Sequence, residues 1–348
     1  MAKHVPISRM RLAGLVALLP LALAACGGGT TKSSAPADQA GQSWDKTVAA
    51  AKKEGAVTIY SSQGVAQLED VKKRFEAKYD GITVTVVRAI EGDLQPKIEA
   101  EFSTGRAVAD VMISASQPWL AAKQTAGYFS PLRMPSLDQA DYDKATNVKD
   151  NYYVVDGAVL TYGWNTKLHP AGLKGYEDLL NPSLKGKVGV VKPSAVPFVD
   201  FYLYLEKNYG ADFVKKLAAQ NPQIYPSSLP MALALTSGEI AAAAFVQPLV
   251  DEKAAGAPVD WGLADPAWGS LFKGVVLAKA AHPNAGQLLA DFLITPEGQE
   301  AIARKAAAVL PGVKGAVGTT ATIAPQDLSA LTPDKVAAYQ KTWDGLFT

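Results

Sequence analysis

Short loops that follow apolar, β-prone runs carry neutral hydroxyl and amide side chains suited to holding a small anion. Ser61, Ser62 and Gln63 follow one such run, Ser116 follows another, and Ser194 follows a third. Serine hydroxyls and backbone N–H groups at helix starts commonly bind phosphate, phosphonate and carboxylate groups. The same serines could simply cap the helices that follow them, so both interpretations stay open.

Charged and aromatic side chains near these loops extend the candidate site. Arg88 could bind an anion with two hydrogen bonds, or pair with Glu91 or Asp93. The two carboxylates would instead favour a cationic amine, and an aminophosphonate would satisfy both signs of charge. Trp164 could stack on an organic ligand, although such aromatics are as often core. The candidate ligand-binding residues are Ser61, Ser62, Gln63, Arg88, Glu91, Ser116, Trp164, Ser194, Ser228 and Gln247.

Residue types that would support catalysis are scarce. The chain has three histidines, and His169 and His282 each precede a proline, which is typical of a turn. No Ser-His-acid order, HExxH helix, P-loop or GxGxxG string is present in the sequence. We therefore predict no catalytic residue, no metal site and no cofactor, and keep a secreted enzyme as the alternative from another class.

The charge balance argues against a nucleic-acid partner. The chain has 34 basic and 33 acidic residues, and three of the basic ones, Lys3, Arg9 and Arg11, lie in the first segment. Nucleic-acid binding requires a concentrated basic face, and no such concentration is visible. The composition therefore gives no electrostatic case for binding nucleic acid.

The first 42 residues predict export and anchoring rather than a folded domain. A basic start precedes an apolar run over residues 12–25, which is too short for a membrane span. Leu23-Ala24-Ala25 before Cys26, the sole cysteine, resembles a bacterial lipobox. Residues 1–25 are then a lipoprotein signal peptide, Cys26 carries lipid, and the Gly/Ser-rich residues 26–42 form a flexible tether.

The elements that must position the candidate side chains alternate between strand and helix. This alternation predicts βαβ units and a mostly parallel sheet, whose ligands sit beyond the carboxyl ends of the strands. Predicted strands cover residues 56–60, 82–87, 109–113, 158–164, 187–191, 241–246 and 271–278. Predicted helices cover residues 44–53, 68–79, 94–102, 176–180, 199–209, 231–237, 285–294 and 296–305.

Several short motifs along residues 54–309 resemble, in order and spacing, the family 1 extracellular solute-binding proteins, specifically their ferric-iron-type branch. These motifs are Glu54–Gln63, Ala109–Val111, Trp164–Leu168, Lys185–Gly189, Ser237–Glu239 and Thr295–Gln299. The resemblance implies an α/β, two-lobed periplasmic-binding-protein-like fold of type II, with the ligand in a cleft between the lobes. It also implies delivery of that ligand to an ABC transporter permease.

The predicted organisation follows from the resemblance and from the length of about 300 residues after the tether. Residues 43–113 and 268–308 are expected to form lobe 1, and residues 114–267 and 309–348 lobe 2. The expected location is the outer face of the cell membrane or the periplasm, with the protein a lipid-anchored monomer. The expected solute is an organic anion such as a phosphonate or phosphate ester.

Ferric iron and polyamines are the alternative ligands within the same fold. Iron-binding members carry adjacent tyrosines after the Gly-Glu motif and the strand that follows it, but Pro248 and Leu249 stand at those positions here. A hard trivalent cation requires several anionic oxygen ligands, which these two residues do not supply. Tyr152 and Tyr153 form a tyrosine pair elsewhere in the chain, before the strand that ends near Trp164.

Overall fold

The computed structural model describes residues 43–347. The predicted signal peptide, the tether and Cys26 lie outside the described residues. Within residues 43–347, no helix combines the length and the apolar character that crossing a membrane would require.

Strands and helices alternate along most of the described chain. The strands are β1 Ala56–Ser61, β2 Thr83–Arg88, β3 Val111–Ser114, β4 Val148–Lys149, β5 Tyr152–Asn165, β6 Val188–Val191, β7 Gln223–Tyr225, β8 Ala242–Val246, β9 Val259–Gly262, β10 Trp268–Val276, β11 Ala307–Ala308 and β12 Gly318–Thr319. The helices are α1 Trp44–Glu54, α2 Val65–Lys78, α3 Glu91–Thr104, α4 Gln117–Thr125, α5 Lys144–Asn147, α6 Val196–Tyr209, α7 Phe213–Ala218, α8 Ser228–Ser237, α9 Val250–Ala254, α10 Pro283–Leu293, α11 Pro296–Ile302 and α12 Pro333–Leu346.

Each strand and each helix predicted from the sequence is present. The short helix predicted over Tyr176–Leu180 is a 3₁₀ helix. The start of α11 is as expected, because the Thr295 hydroxyl accepts a hydrogen bond from the Gly298 N–H at 3.2 Å and Pro296 occupies the first turn. Strand β5 begins at Tyr152, well before the predicted residue 158.

The prediction of a mostly parallel sheet is wrong. The strand order is β2-β1-β3-β10-β5-β8-β6-β7, with β1 parallel to β2 and β3, and β6 parallel to β7 and β8. Strand β10 runs antiparallel to both β3 and β5, and β5 is antiparallel to β8 and β9. Two parallel blocks are therefore joined through the antiparallel strands β5 and β10.

The molecule is two-lobed, with β5 and β10 shared between the halves. One apolar core is built from side chains within residues 51–155 and 276–310, a second from side chains within residues 162–268 together with Trp343, and a smaller cluster that includes Tyr60 and Tyr152 lies beside the first. The lobe boundaries predicted from the sequence stay a prediction. Because Met134, Leu137 and Tyr142 pack into the first core, we propose that the chain crosses within β5 rather than at residue 114.

A buried carboxylate, Asp110, ties three elements of the first lobe together. Its oxygens accept hydrogen bonds from the Thr58 N–H in β1 and from the His282 N–H before α10, both at 2.8 Å. The His282 ring nitrogen Nδ1 lies 2.9 Å from the same carboxylate. An anion at the start of α10 is also favourable because of the helix dipole. Asp110 therefore fixes β3 and α10 relative to β1.

Replacing Asp110 with alanine should destabilise the fold by at least about 2 kcal/mol. The Thr58 and His282 N–H groups would lose their acceptor, and a buried unsatisfied donor costs about 1–3 kcal/mol. Urea unfolding would measure the loss. Asp141→Ala, at an exposed position, should change the free energy of unfolding by less than about 0.5 kcal/mol. Equal effects of the two changes would contradict the structural role of Asp110.

Candidate ligand cleft

A cleft of ≈ 650 Å³ is lined by residues from both lobes and by the shared strands. Its volume lies in the range typical of small-molecule sites. The lobe 1 side comprises residues 63–67 and 304–306, the floor comprises parts of β5 and β10, and the lobe 2 side comprises residues from α8, α9 and the loop after β8. The lining residues are Gln63, Gly64, Val65, Ala66, Gln67, Asp156, Ala158, Val159, Leu160, Ser228, Leu229, Ala232, Gln247, Pro248, Leu249, Asp251, Glu252, Phe272, Arg304, Lys305 and Ala306.

Two helices begin at the cleft, one from each lobe. The first turn of α2 starts at Val65 and the first turn of α8 at Ser228, and neither turn contains an acidic residue. The first N–H groups of a helix have no partner within it, and the helix dipole adds partial positive charge there. The exposed Arg304 side chain also lines the cleft, and within residues 43–347 no carboxylate forms an ion pair with it. These features together favour an anionic group.

The floor of the cleft contains a buried carboxyl group, Asp156 in β5. The Gln63 amide Nε2 lies 2.7 and 2.8 Å from its two oxygens and donates to them. The Ser61 hydroxyl donates to Gln63 Oε1 at 3.3 Å and accepts from the Gln63 N–H at 3.1 Å. Ser61 therefore fixes the orientation of the amide, so that its donors face Asp156.

Burial changes the protonation of this carboxyl group. Asp156 is 1% exposed, and desolvation raises the pKa of its side chain well above the usual range, while the hydrogen bonds from Gln63 lower it by less. Burial therefore favours the protonated form of Asp156 in the free protein. A neutral carboxyl group can donate a hydrogen bond as well as accept one.

An ion pair joins the two lobes at the edge of the cleft. Lys305 follows α11 in lobe 1, and its ammonium group contacts the carboxylate of Asp251 in α9 of lobe 2. The Gln67 side chain supports this segment by donating to the Ile302 and Arg304 carbonyl oxygens at 2.8 and 3.1 Å. The pair is largely exposed, so it is worth at most about 1 kcal/mol.

Three of the residues predicted from the sequence lie in the lining: Gln63, Ser228 and Gln247. Gln63 is buried, Ser228 is half-buried and Gln247 is exposed. The other seven lie outside the lining, and their role as ligand contacts stays a prediction.

Four of those seven gather at the carboxyl ends of β1, β2 and β3, where Glu91 joins neighbouring loops. Its carboxylate accepts hydrogen bonds from the hydroxyls of Ser62 at 3.4 Å and Ser114 at 2.6 Å, and from the Ala115 N–H at 2.8 Å. Glu91 is thus occupied by protein donors, which disfavours a polyamine site there. Arg88 donates from Nε to the Gln63 carbonyl oxygen at 3.4 Å, and the hydroxyl of Ser61 binds Gln63 as described.

The remaining three predicted residues are not brought to the cleft. Ser116 precedes α4, and its N–H donates to the Ser114 hydroxyl. Ser194 is exposed between β6 and α6. Trp164 lies near the far end of β5, where its ring stacks against Tyr162 with 6.4 Å between centroids.

Sequence reasoning missed Asp156, Arg304 and Lys305 as lining residues. Asp156 follows two valines in what becomes a strand buried along most of its length, and a lone carboxylate in such a run could have marked it. Arg304 and Lys305 gave no such signal, because the sequence placed them in the predicted helix over residues 296–305, whereas α11 ends at Ile302. Their position in the cleft depends on where α11 ends.

The two positions at which the resemblance to iron-binding members implies tyrosines contain no anionic oxygen here. Pro248 and Leu249 line the cleft with apolar surface. Tyr153 is buried in the first core and donates its hydroxyl to the Ala290 carbonyl oxygen at 3.1 Å, and Tyr152 is buried in a neighbouring cluster. In the part of the chain that the structure describes, no group of three or more His, Cys, Asp or Glu side chains is placed to hold a metal ion.

Comparison with known proteins gives a family match and several similar folds. A family model described as bacterial extracellular solute-binding protein matches residues 57–305. No curated sequence matches the chain significantly. Iron-bound HitA from Pseudomonas aeruginosa is 21% identical with a TM-score of 0.59, covering 84% of this chain and 99% of its own.

Two further solved structures share the fold at similar identity. The substrate binding protein of an ABC transporter from Agrobacterium tumefaciens is 17% identical, with a TM-score of 0.62 and coverage of 84% of this chain and 94% of its own. The periplasmic binding protein AfuA from Actinobacillus pleuropneumoniae, with fructose-6-phosphate bound, is 23% identical, with a TM-score of 0.54 and coverage of 84% and 98%. Such identities show the fold alone.

The free energy of unfolding should fall with rising pH because of Asp156. The unfolded chain ionises this group near its usual pKa of about 4, while the folded protein retains the proton to a higher pH, so stability decreases by up to about 1.4 kcal/mol per pH unit as pH rises from about 4 toward the raised pKa of the folded state. In Asp156→Asn this contribution is absent, and the variant should gain stability over the wild type as pH rises. Urea unfolding across this range would measure it, with the exposed Asp141→Asn as control. Parallel curves for wild type and Asp156→Asn would contradict the prediction.

Proposed function

The chain belongs to the bacterial extracellular solute-binding proteins, and from that premise we propose that it is the substrate-binding component of an ABC importer. It captures a small solute in the cleft and delivers it to the permease. The observation that carries the proposal is the composition of the cleft, whose walls come from both lobes and whose floor is the pair of strands that joins them. A solute bound there contacts both lobes, and its binding favours the closed arrangement.

The solute we propose is a small organic anion such as a phosphonate or phosphate ester. The N-termini of α2 and α8 supply N–H donors from opposite walls, Ser228 and Gln247 supply neutral polar groups, and Arg304 supplies a positive charge. Fructose-6-phosphate in AfuA is an organic phosphate bound within the same fold. The iron of HitA gives a second candidate, but the apolar Pro248 and Leu249 in this cleft favour the organic anion.

Binding rather than catalysis is the proposed role. The family to which the chain belongs and the similar structures named above are those of binding proteins. Incubating the bound solute with the protein and recovering it unchanged would agree with this, whereas turnover would favour the alternative of a secreted enzyme.

The location we propose is the outer face of the cell membrane or the periplasm, as a lipid-anchored monomer. Membership of an extracellular family supports a site of action outside the cytoplasm. The lipobox-like residues Leu23-Ala24-Ala25 before Cys26 supply the anchor in this proposal, and the Gly/Ser-rich segment after it gives the binding domain reach toward the permease.

Solute binding should close the lobes and depend on Arg304. Purified protein would be denatured, and the small molecule it releases identified by mass spectrometry. Adding that solute back to solute-free protein should reduce the radius of gyration in X-ray scattering. Arg304→Gln should weaken its binding by about tenfold to a hundredfold in calorimetry, which corresponds to one lost charged hydrogen bond.

Arg106→Gln is the matched control, since Arg106 is exposed and outside the cleft. It should leave the affinity for the solute unchanged. An identical scattering curve with and without saturating solute would contradict capture by lobe closure. Equal losses for both arginine variants would contradict the assignment of the anion to Arg304.

Replacing Cys26 with alanine should release the protein from membranes or leave it as an unprocessed precursor. A thiol is the group that would receive the lipid, and the chain contains no other cysteine. Membrane fractionation and intact-mass measurement would distinguish the forms. Ser43→Ala, beyond the proposed tether, is the control and should be processed normally. Normal membrane retention of Cys26→Ala would exclude the lipid anchor.

A further inference from the structure

The buried carboxyl group of Asp156 has no cationic partner among the described residues. Its hydrogen-bond partner there is the neutral amide of Gln63. The two positively charged side chains of the lining are placed elsewhere: Lys305 is paired with Asp251, and Arg304 is exposed. The Asp156 side chain is only 1% exposed and yet lines the cleft. The chemistry of the ligand is therefore expected to explain why an ionisable group is buried at this position.

Burial of an ionisable group without a counter-charge is unfavourable, and an apolar residue in the same strand position would avoid that cost. The neighbours of Asp156 across the strands are Phe272 in β10 and Ala308 in β11, and neither of these side chains requires a carboxyl group beside it. Ser61 also orients the single amide nitrogen of Gln63 so that it donates to the carboxyl oxygens of Asp156. The site is thus built to stabilise an ionised Asp156 once a cation is present.

We propose that the solute carries a cationic nitrogen, a primary or secondary ammonium group, and that Asp156 is its counter-charge at the floor of the cleft. Together with the anionic group assigned to the helix N-termini and Arg304, this makes the solute a zwitterion. The inference rests on the proposed function, because it names the chemistry of the solute that the cleft captures.

Binding of an ammonium group changes the protonation of the site. The protonated carboxyl group of Asp156 loses its proton to solvent, the ligand keeps its own, and the resulting carboxylate accepts hydrogen bonds from the ligand and from Gln63. The charged groups of the lining besides Asp156 are Asp251, Glu252, Arg304 and Lys305. A proton is therefore released on ligand binding at any pH at which the free protein holds Asp156 protonated, and over that range the affinity for the ammonium ligand rises with pH.

The test uses matched pairs of probes that differ in the ammonium group alone: 2-aminoethylphosphonate with ethylphosphonate, and 4-aminobutyrate with butyrate. Calorimetric titration of the full binding domain should show at least tenfold tighter binding of the ammonium member in at least one pair. Repeating that titration in buffers of different ionisation enthalpy should give a release of up to one proton per ligand bound. The inference is overturned if no ammonium member binds more tightly than its partner.

Asp156→Asn tests the assignment to this residue, since asparagine has nearly the same shape and cannot ionise. The preference for the ammonium member should fall below about threefold, and the proton release should disappear. Asp291→Asn is the matched control, because Asp291 is a second buried carboxyl group whose pKa is raised by desolvation, in α10 outside the cleft. It should keep both the preference and the proton release.

Retention of the preference by Asp156→Asn would overturn the inference, and circular dichroism would verify that the variant is folded.

Failure of the inference is distinguishable from failure of the proposed function. If the amine-free member binds equally well and closes the lobes in scattering, solute capture stands and the cationic group is excluded. If the solute released from the purified protein neither rebinds nor closes the lobes, the proposed function itself fails.

Discussion

The antiparallel pairing of β5 with β10 is the constraint on which the rest of the structure depends. Strand β5 pairs with β10 through residues 153–160 and with β8 and β9 through residues 161–165, so one continuous strand belongs to both lobes. This shared strand forms the floor of the cleft, and the walls rise from the elements packed on either side. A cleft between lobes that share strands can change its width while its floor stays fixed.

The cleft contains polar and ionisable groups at buried positions, where apolar side chains would give a more stable fold. This conflict is typical of a binding site rather than of a packed core. Asp156 is buried where an apolar side chain would favour stability, and its pKa is raised accordingly. Ser61 and Gln63 hold donors toward it, although Gln63 is itself buried and costs desolvation. Burying these polar residues lowers the stability of the fold. The two apolar cores and the hydrogen bonds of buried groups such as Asp110 compensate for that loss.

The ion pair that joins the two lobes at the edge of the cleft is weak, which is appropriate for a contact at this position. Lys305 and Asp251 form an exposed ion pair, whose contribution of at most about 1 kcal/mol is easily exchanged for hydration. A rim contact of this strength allows the lobes to separate for solute entry and release. The energy that decides between open and closed arrangements must then come mainly from contacts made by the solute with both walls.

Local pattern in the sequence determined the elements and the family, because periodicity and caps are properties of neighbouring residues. The strand at residues 56–60, the cap at Thr295 and the order of motifs from Glu54 to Gln299 could all be read without a structure. The sequence alone did not reveal that β10 runs antiparallel to its neighbours or that the chain crosses between the lobes through β5. It also did not reveal that Asp156 and Arg304 lie in one cleft. Strand pairing and the meeting of residues 63, 156, 228 and 304 depend on contacts between distant segments, which only the packed tertiary structure decides.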